Sequence, residues 1–256
     1  MTETIINNSF LFYRIIYAYR GSIAHNMYVP PEEEMGTDDV DLMGVAIPPI
    51  SYYLGLDKFE QTQIQEGKDD IIIYELTKFI RLLIKGNPNV ISLLWNDPQM
   101  YLELTEEGKI LIENRELFST KWIPKAFLGY ANAQMKKMFS GSYQGYMGEK
   151  RKKFLDKFGY DVKNAAHMIR LLRMCREFLI TGRMNVYRED AEELINIKKG
   201  KWSSNKIIQE ANLLTEDIKK LLDVSTLPEK VNYNEINNLI TNILMDYPFD
   251  EKYNKK

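Results

Sequence analysis

The sequence predicts an α+β fold, with strands and helices mixed up to about residue 115 and helices alone beyond it. Three observations carry this. Ile71-Ile72-Ile73-Tyr74 is the most β-prone run in the chain. Asp41 to Ile47 is short, apolar and stopped by Pro48-Pro49, as a buried strand would be. Lys125–Phe139, Tyr160–Thr181, Glu189–Lys198 and Ser204–Leu222 all have helical spacing and few strand signals.

In chain order, Phe10 to Tyr19 is apolar around Arg14 and reads as a helix or strand leading into a Gly-Ser turn. Residues 26–37 carry two prolines, a glycine and an acidic run, which makes them a loop. After the Asp41–Ile47 strand, Ile71–Tyr74 is expected as a central strand. It passes into Glu75–Lys85, where Leu76, Phe79, Ile80 and Leu83 follow the i, i+3, i+4, i+7 pattern of an amphipathic helix. Gly86-Asn87-Pro88-Asn89 ends that helix with a C-cap glycine, a proline and capping asparagines. Val90 to Trp95 begins another apolar element. A short helix around Ile236–Leu244 precedes a polar tail, Lys252–Lys256. This divides the chain into an α/β domain over 1–115, a helical domain over 116–230, and a final helix and tail over 231–256.

At 256 residues the chain can bury a sizeable core. Lys+Arg is 34 and Asp+Glu is 36, a net charge of −2, so no global basic field advertises a polyanion. The single cysteine, Cys175, excludes an intramolecular disulfide and fits a reducing compartment. Met1-Thr2-Glu3-Thr4 lacks the basic flank and apolar core of a signal peptide. The longest apolar stretch, Ile71 to Ile84, is cut by Glu75, Lys78 and Arg81. A cytoplasmic location without membrane association is the expectation.

The residues that carry chemistry come early. Gly21-Ser22 can open onto a helix N-terminus, where free N–H groups and the dipole face an anion. Asp39 and Asp41, two apart on a strand, point to one face roughly 6–7 Å apart at Cα, a separation that lets carboxylates grip magnesium. A two-metal phosphoryl-transfer site needs a third carboxylate. Asp70, heading the Ile71–Tyr74 strand, is the choice, with Asp69 the alternative. His167 and Arg170 share a helix face with Lys163 one turn before, a face for phosphates or for polar contact between domains. Lys78 either reaches the phosphates or is a solvated helix lysine. Gly148–Lys153, following the tyrosine- and glycine-rich Ser142–Tyr146, is a single-stranded nucleic-acid track or a loop with a solvated charge run. Lys198–Trp202 reads the same way. Arg20-x4-His25 matches the spacing of a helical ribonuclease motif, but it brackets Gly21-Ser22, where a helix is least able to continue.

These motifs resemble the DNA polymerase β-like nucleotidyltransferase superfamily and, within it, the RNA-ligase-associated nucleotidyltransferases. The resemblance rests on Gly21–His25, Asp38–Val45, Ile47-Pro48-Pro49, Tyr52–Leu56, Phe59-Glu60-Gln61, Asp70 through Phe79, and Asn87-Pro88-Asn89. It continues through Gly129-Tyr130-Ala131, Gly159–Lys163 and Ala166–Leu172, covering most of residues 10–215. It implies a mixed-sheet catalytic domain with flanking helices, closed by a helical C-terminal domain. It also implies that Asp39, Asp41 and Asp70 are the catalytic and metal-binding residues, holding two Mg²⁺ or Mn²⁺ ions. Gly21 and Ser22 would then bind the triphosphate of an NTP substrate. Beside them, Lys78, His167 and Arg170 stand as candidate further nucleotide contacts on the residue reading above. One departure is the insert Val29–Glu34, which lengthens the spacer between Gly-Ser and the aspartates.

The implied reaction is transfer of a nucleoside monophosphate to an acceptor hydroxyl, with an RNA end as the expected acceptor. The alternatives are a nucleotide-sensing or RNA-binding module without turnover, and a defence or toxin–antitoxin enzyme that modifies a protein hydroxyl.

Overall fold

A computed structural model of the chain describes residues 13–33, 36, 38–66, 69–140 and 149–249. The front half runs β1 (Arg14–Tyr19), a single helical turn α1 (Gly21–Ala24), β2 (Val40–Ala46), a second single turn α2 (Ser51–Leu54), β3 (Gln61–Glu66) and β4 (Asp69–Glu75). Next come α3 (Leu76–Ile84), α4 (Pro88–Ile91), β5 (Tyr101–Leu104) and α5 (Glu106–Glu113). The back half is helical: α6 (Trp122–Ser140), α7 (Glu149–Phe158), α8 (Val162–Thr181), α9 (Ala191–Lys198), α10 (Ser204–Val224) and α11 (Tyr233–Asp246).

The five strands form one mixed sheet in the order β3-β4-β2-β1-β5, so β4 is an interior strand, paired on both sides as its β-prone run predicts, and β2 lies at the middle. β2 and β4 are parallel, and the other pairs are antiparallel. The parallel register sets Asp41 beside Asp70, Met43 beside Ile72 and Val45 beside Tyr74. Residues paired in this way share a face of the sheet. Met43, Val45 and Ile72 enter the larger apolar cluster together with Ile16 and Ala18 of β1. The opposite face carries a smaller cluster of Leu42, Ala46, Ile71 and Ile73, covered by Tyr17, Tyr19, Val40 and Ile64.

Local chemistry sets the junctions. Glu75 ends β4 and caps α3, accepting the Thr77 and Lys78 N–H groups at 2.7 and 2.8 Å; the Tyr53 hydroxyl donates to it at 2.9 Å. A buried carboxylate with three donors is fully satisfied. Leu76, Phe79, Ile80 and Leu83 of α3 are buried, each contributing about 1.5–3 kcal/mol of apolar transfer. Gly86 lies just past the helix with φ +63°, the left-handed turn that stops it. In the back half, α8 packs against α6, α9 and α10. The Asp161 carboxylate caps α8 by accepting the Asn164 N–H at 3.0 Å. The larger apolar cluster is continuous from Ile15 to Tyr247, so one core runs through both halves.

The structure adds three elements that periodicity does not signal. β3 reads Gln-Thr-Gln-Ile-Gln-Glu, an edge strand whose glutamines are exposed and whose pairing with β4 supplies what its side chains do not. β5 has four residues and is recruited by β1. The basic segment after Gly148, read as a nucleic-acid track or a loop with a solvated charge run, is helix α7: Phe154 and Phe158 lie one turn apart with ring centroids at 6.4 Å, and Phe154 is buried. The aromatic stretch Ser142–Tyr146 lies outside the described residues.

Candidate active site

β1 delivers Arg20 and the Gly21-Ser22 turn directly against the first residues of β2. The Arg20 N–H donates to the Asp41 carbonyl at 2.9 Å, extending the β1–β2 ladder by one bond. Gly21 then turns with φ +64°, and a Cβ placed on it would stand 2.4 Å from Asp41 Oδ2. Backbone conformation and lack of space both require glycine here. The turn and the carboxylate are thus packed as one unit.

Asp41 and Asp70 sit side by side on parallel strands, joined by Arg20. One guanidinium nitrogen, Nη2, is 3.0 Å from Asp70 Oδ2 and 3.4 Å from Asp41 Oδ1. The other Asp70 oxygen accepts from Gln63 Nε2 at 2.7 Å, across the β3–β4 pair. Burial raises the Asp41 pKa; Arg20 and Lys163 oppose that shift, and the charges of Asp70 and Asp39 add to it. Asp41 therefore feels both of the other carboxylates. Asp39 does not lie on the strand: β2 begins at Val40, and Asp39 is exposed just before it. Among the described residues, no three of His, Cys, Asp and Glu converge tightly enough to hold a metal ion. The Asp41–Asp70 pair with a cation standing between its oxygens nonetheless fits a divalent ion that completes its shell with phosphate oxygens, the usual habit of magnesium.

Beside this pair opens a cavity of about 190 Å³, lined by Arg20, Gly21, Ser22 and Asp41 on the sheet side. Its inner wall is cationic and built from the back half: Lys163, His167 and Arg170 of α8 and Lys198 of α9, with His25 and Asp38. Arg170 is 7% exposed, and its Nη1 meets His25 Nε2 and, at 3.5 Å, Met174 Sδ. Burial and the nearby Arg188 charge lower its pKa to about 9, which leaves it charged at neutral pH. His25 Nδ1 lies 2.8 Å from the Val186 carbonyl. Burial, and next the Arg170 charge, hold both His25 and His167 well below the usual histidine range. His167 Nε2 is buried with no hydrogen-bond partner. Asp38, 1% exposed, accepts from Lys198 Nζ at 2.6 Å and from the Val29 N–H at 2.9 Å, with Lys163 Nζ at 3.4 Å from its other oxygen.

The structure brings Gly21, Ser22, Asp41, His167 and Arg170 to one cavity. Asp70 reaches it through Arg20, and Asp69 pairs with Val40 instead of Asp41. Lys78 is not brought there: its ammonium is 2.8 Å from Glu60, an exposed pair beside the β3 edge. Lys198, read as part of a solvated charge run, is 9% exposed and anchored on Asp38 and the Met27 carbonyl. Arg20, Gln63 and Asp38 carry no site role in the sequence reading. Only strand pairing, which sets Arg20 against Asp41 and places Gln63 diagonally from Asp70, two residues from its direct partner Gln65, brings the first two to the acidic pair.

The model of the RNA repair pathway DNA polymerase beta family matches residues 11–242. No curated protein matches the chain. A solved nucleotidyltransferase-like protein from Exiguobacterium sibiricum is similar at 13% identity over 87% of this chain and 73% of that one. Its TM-score of 0.29 is too low for the likeness to carry any argument. No helix of the described residues is long and apolar enough to cross a membrane.

Proposed function

The chain belongs to the RNA repair pathway DNA polymerase beta family, and on that premise we propose that it is a metal-dependent nucleotidyltransferase that moves a nucleoside monophosphate from an NTP to the hydroxyl of an RNA end. The observation that carries the reading is the parallel register that sets Asp70 beside Asp41, itself part of a cavity also lined by Lys163, Arg170 and Lys198. An acidic pair attracts divalent ions; a buried cationic wall facing it attracts a polyanion. A metal-bound triphosphate satisfies both at once.

In this reading Asp39, Asp41 and Asp70 hold two Mg²⁺ or Mn²⁺ ions, with Asp39 moving in from the mouth. The ions would lower the pKa of the acceptor hydroxyl and offset charge on the departing pyrophosphate. The protein groups do the positioning. Gly21 and Ser22 open a helical turn whose first N–H groups have no partner within the turn and face the β- and γ-phosphates. Arg170, Lys163 and His167 close on the phosphates from the helical side. The RNA acceptor is supported by the description of the family.

The test offers each α-labelled NTP, with Mg²⁺ or Mn²⁺, to total RNA and to protein extract. Label should enter RNA and be lost with Asp39→Ala plus Asp41→Ala. Transfer that survives the double substitution sinks the metal assignment. Label confined to protein overturns the RNA acceptor. Tight NTP binding without any transfer points to a nucleotide sensor.

A further inference from the structure

We propose that Arg20 is a built-in counter-cation of the acidic pair, and that it makes metal loading depend on the arrival of the triphosphate. This rests on the metal-dependent reading of the same site. Three observations carry it. Arg20 Nη2 lies between Asp41 Oδ1 and Asp70 Oδ2, so one guanidinium answers both carboxylates. Gln63 holds the second Asp70 oxygen, and the second Asp41 oxygen lies against Gly21, so Arg20 stands on the carboxylate edges open to a metal. Arg20 also lines the cavity, and its Nε is buried with no hydrogen-bond partner.

A divalent ion bound to those same oxygens at roughly 2.0–2.1 Å leaves no room for a guanidinium nitrogen at 3.0 Å. The two cations are therefore mutually exclusive. A metal arriving alone must displace Arg20 with nothing to receive its charge. A metal arriving with a triphosphate brings the receiver. Phosphate oxygens accept from guanidinium in a bidentate fork, and that fork would also engage the orphaned Nε–H. Arg20 thus acts as a positioning residue. It holds two like charges together before the nucleotide binds, and then passes to the phosphates as the metal takes its place.

The experiment is equilibrium dialysis of Mn²⁺ against the full chain, with Mn²⁺ alone and with inorganic triphosphate, so that no turnover is involved. Wild type should retain Mn²⁺ poorly alone and well with triphosphate. Arg20→Gln should bind Mn²⁺ alone about ten-fold tighter, a change of about 1.4 kcal/mol, and lose most of the gain from triphosphate. Arg20→Gln binding Mn²⁺ no tighter than wild type overturns the proposal. If Arg20→Gln does not fold, Arg20→Lys serves: its ammonium still answers the acidic pair but cannot fork onto phosphates, so Mn²⁺ alone should bind as in wild type while the gain from triphosphate falls, and an undiminished gain overturns the idea. The control separates the two readings. Asp41→Asn plus Asp70→Asn should abolish Mn²⁺ retention in both conditions; if it does not, the carboxylate–metal reading fails whatever Arg20 does.

Discussion

Two buried arginines, Arg188 and Arg170, are solved in opposite ways. Arg188 is 3% exposed and fully answered: its two terminal nitrogens fork onto Glu177 at 2.6 and 2.7 Å, and its Nε donates to Asp190 at 2.7 Å. Burial works against that charge, but the two carboxylates outweigh it and raise the pKa. Arg170 is buried almost as deeply, yet its contacts are a histidine and a methionine sulfur, and no carboxylate pairs with it among the described residues. A buried charge without a partner costs several kcal/mol. The difference teaches where each cation is meant to find its anion. Arg188 finds it inside the protein. Arg170 faces a cavity, and in the proposed function its anion is the nucleotide.

The largest expected effect is at the internally satisfied site. Arg188→Met should cost about 3 kcal/mol of stability, the low end for breaking a buried pair because Glu177 and Asp190 keep some solvent contact. Chemical denaturation measures it, and NTP affinity per folded molecule should not change. Arg170→Met should do the reverse. NTP binding should weaken on the order of 30-fold, as for loss of about 2 kcal/mol of charged hydrogen bonding, while the melting temperature holds or rises. If Arg170→Met destabilises the fold as much as Arg188→Met, the comparison breaks and Arg170 is structural.

A third test uses pH. His25 and His167 have folded-state pKa values held below their unfolded ones, so they contribute nothing to the pH dependence above about pH 6.5. As the pH falls below that, the unfolded chain takes up protons first and stability drops by about 1.4 kcal/mol per pH unit per histidine. Thermal melts from pH 7 to pH 5 should show this slope, and His167→Gln should roughly halve it. A flat profile would mean that neither ring is held neutral by the wall. The smallest effect belongs to Lys78→Gln. Its partner Glu60 is solvent-exposed, so neither NTP binding nor stability should change measurably.

Much of the fold was legible because its signals are local. The β-prone Ile71–Tyr74, the Pro48-Pro49 stop and the apolar spacing of α3 each appear within a few residues. β3 was not, because a Gln-rich edge strand has no hydrophobic pattern and exists by its pairing with β4. At the site, the Gly-Ser and Asp-x-Asp motifs are readable as residue types, and Asp70 rather than Asp69 shares a face with Asp41 only once register is known. Asp38 was hidden next to the more conspicuous Asp39 and Asp41. Lys198 was hidden in a run that reads as surface charge. Nothing in the sequence says that these two lie 2.6 Å apart across 160 residues.

That Asp38–Lys198 contact has a consequence for how the protein is made. Asp38 enters the strand that carries Asp41, and it is held from one side by the Val29 N–H and from the other by an ammonium on α9. During synthesis the aspartates leave the ribosome long before residue 198 does. A nascent chain therefore carries the aspartates proposed to hold the metal for most of its translation without the lysine that anchors Asp38. In the proposed function, competence would come late, when α9 docks.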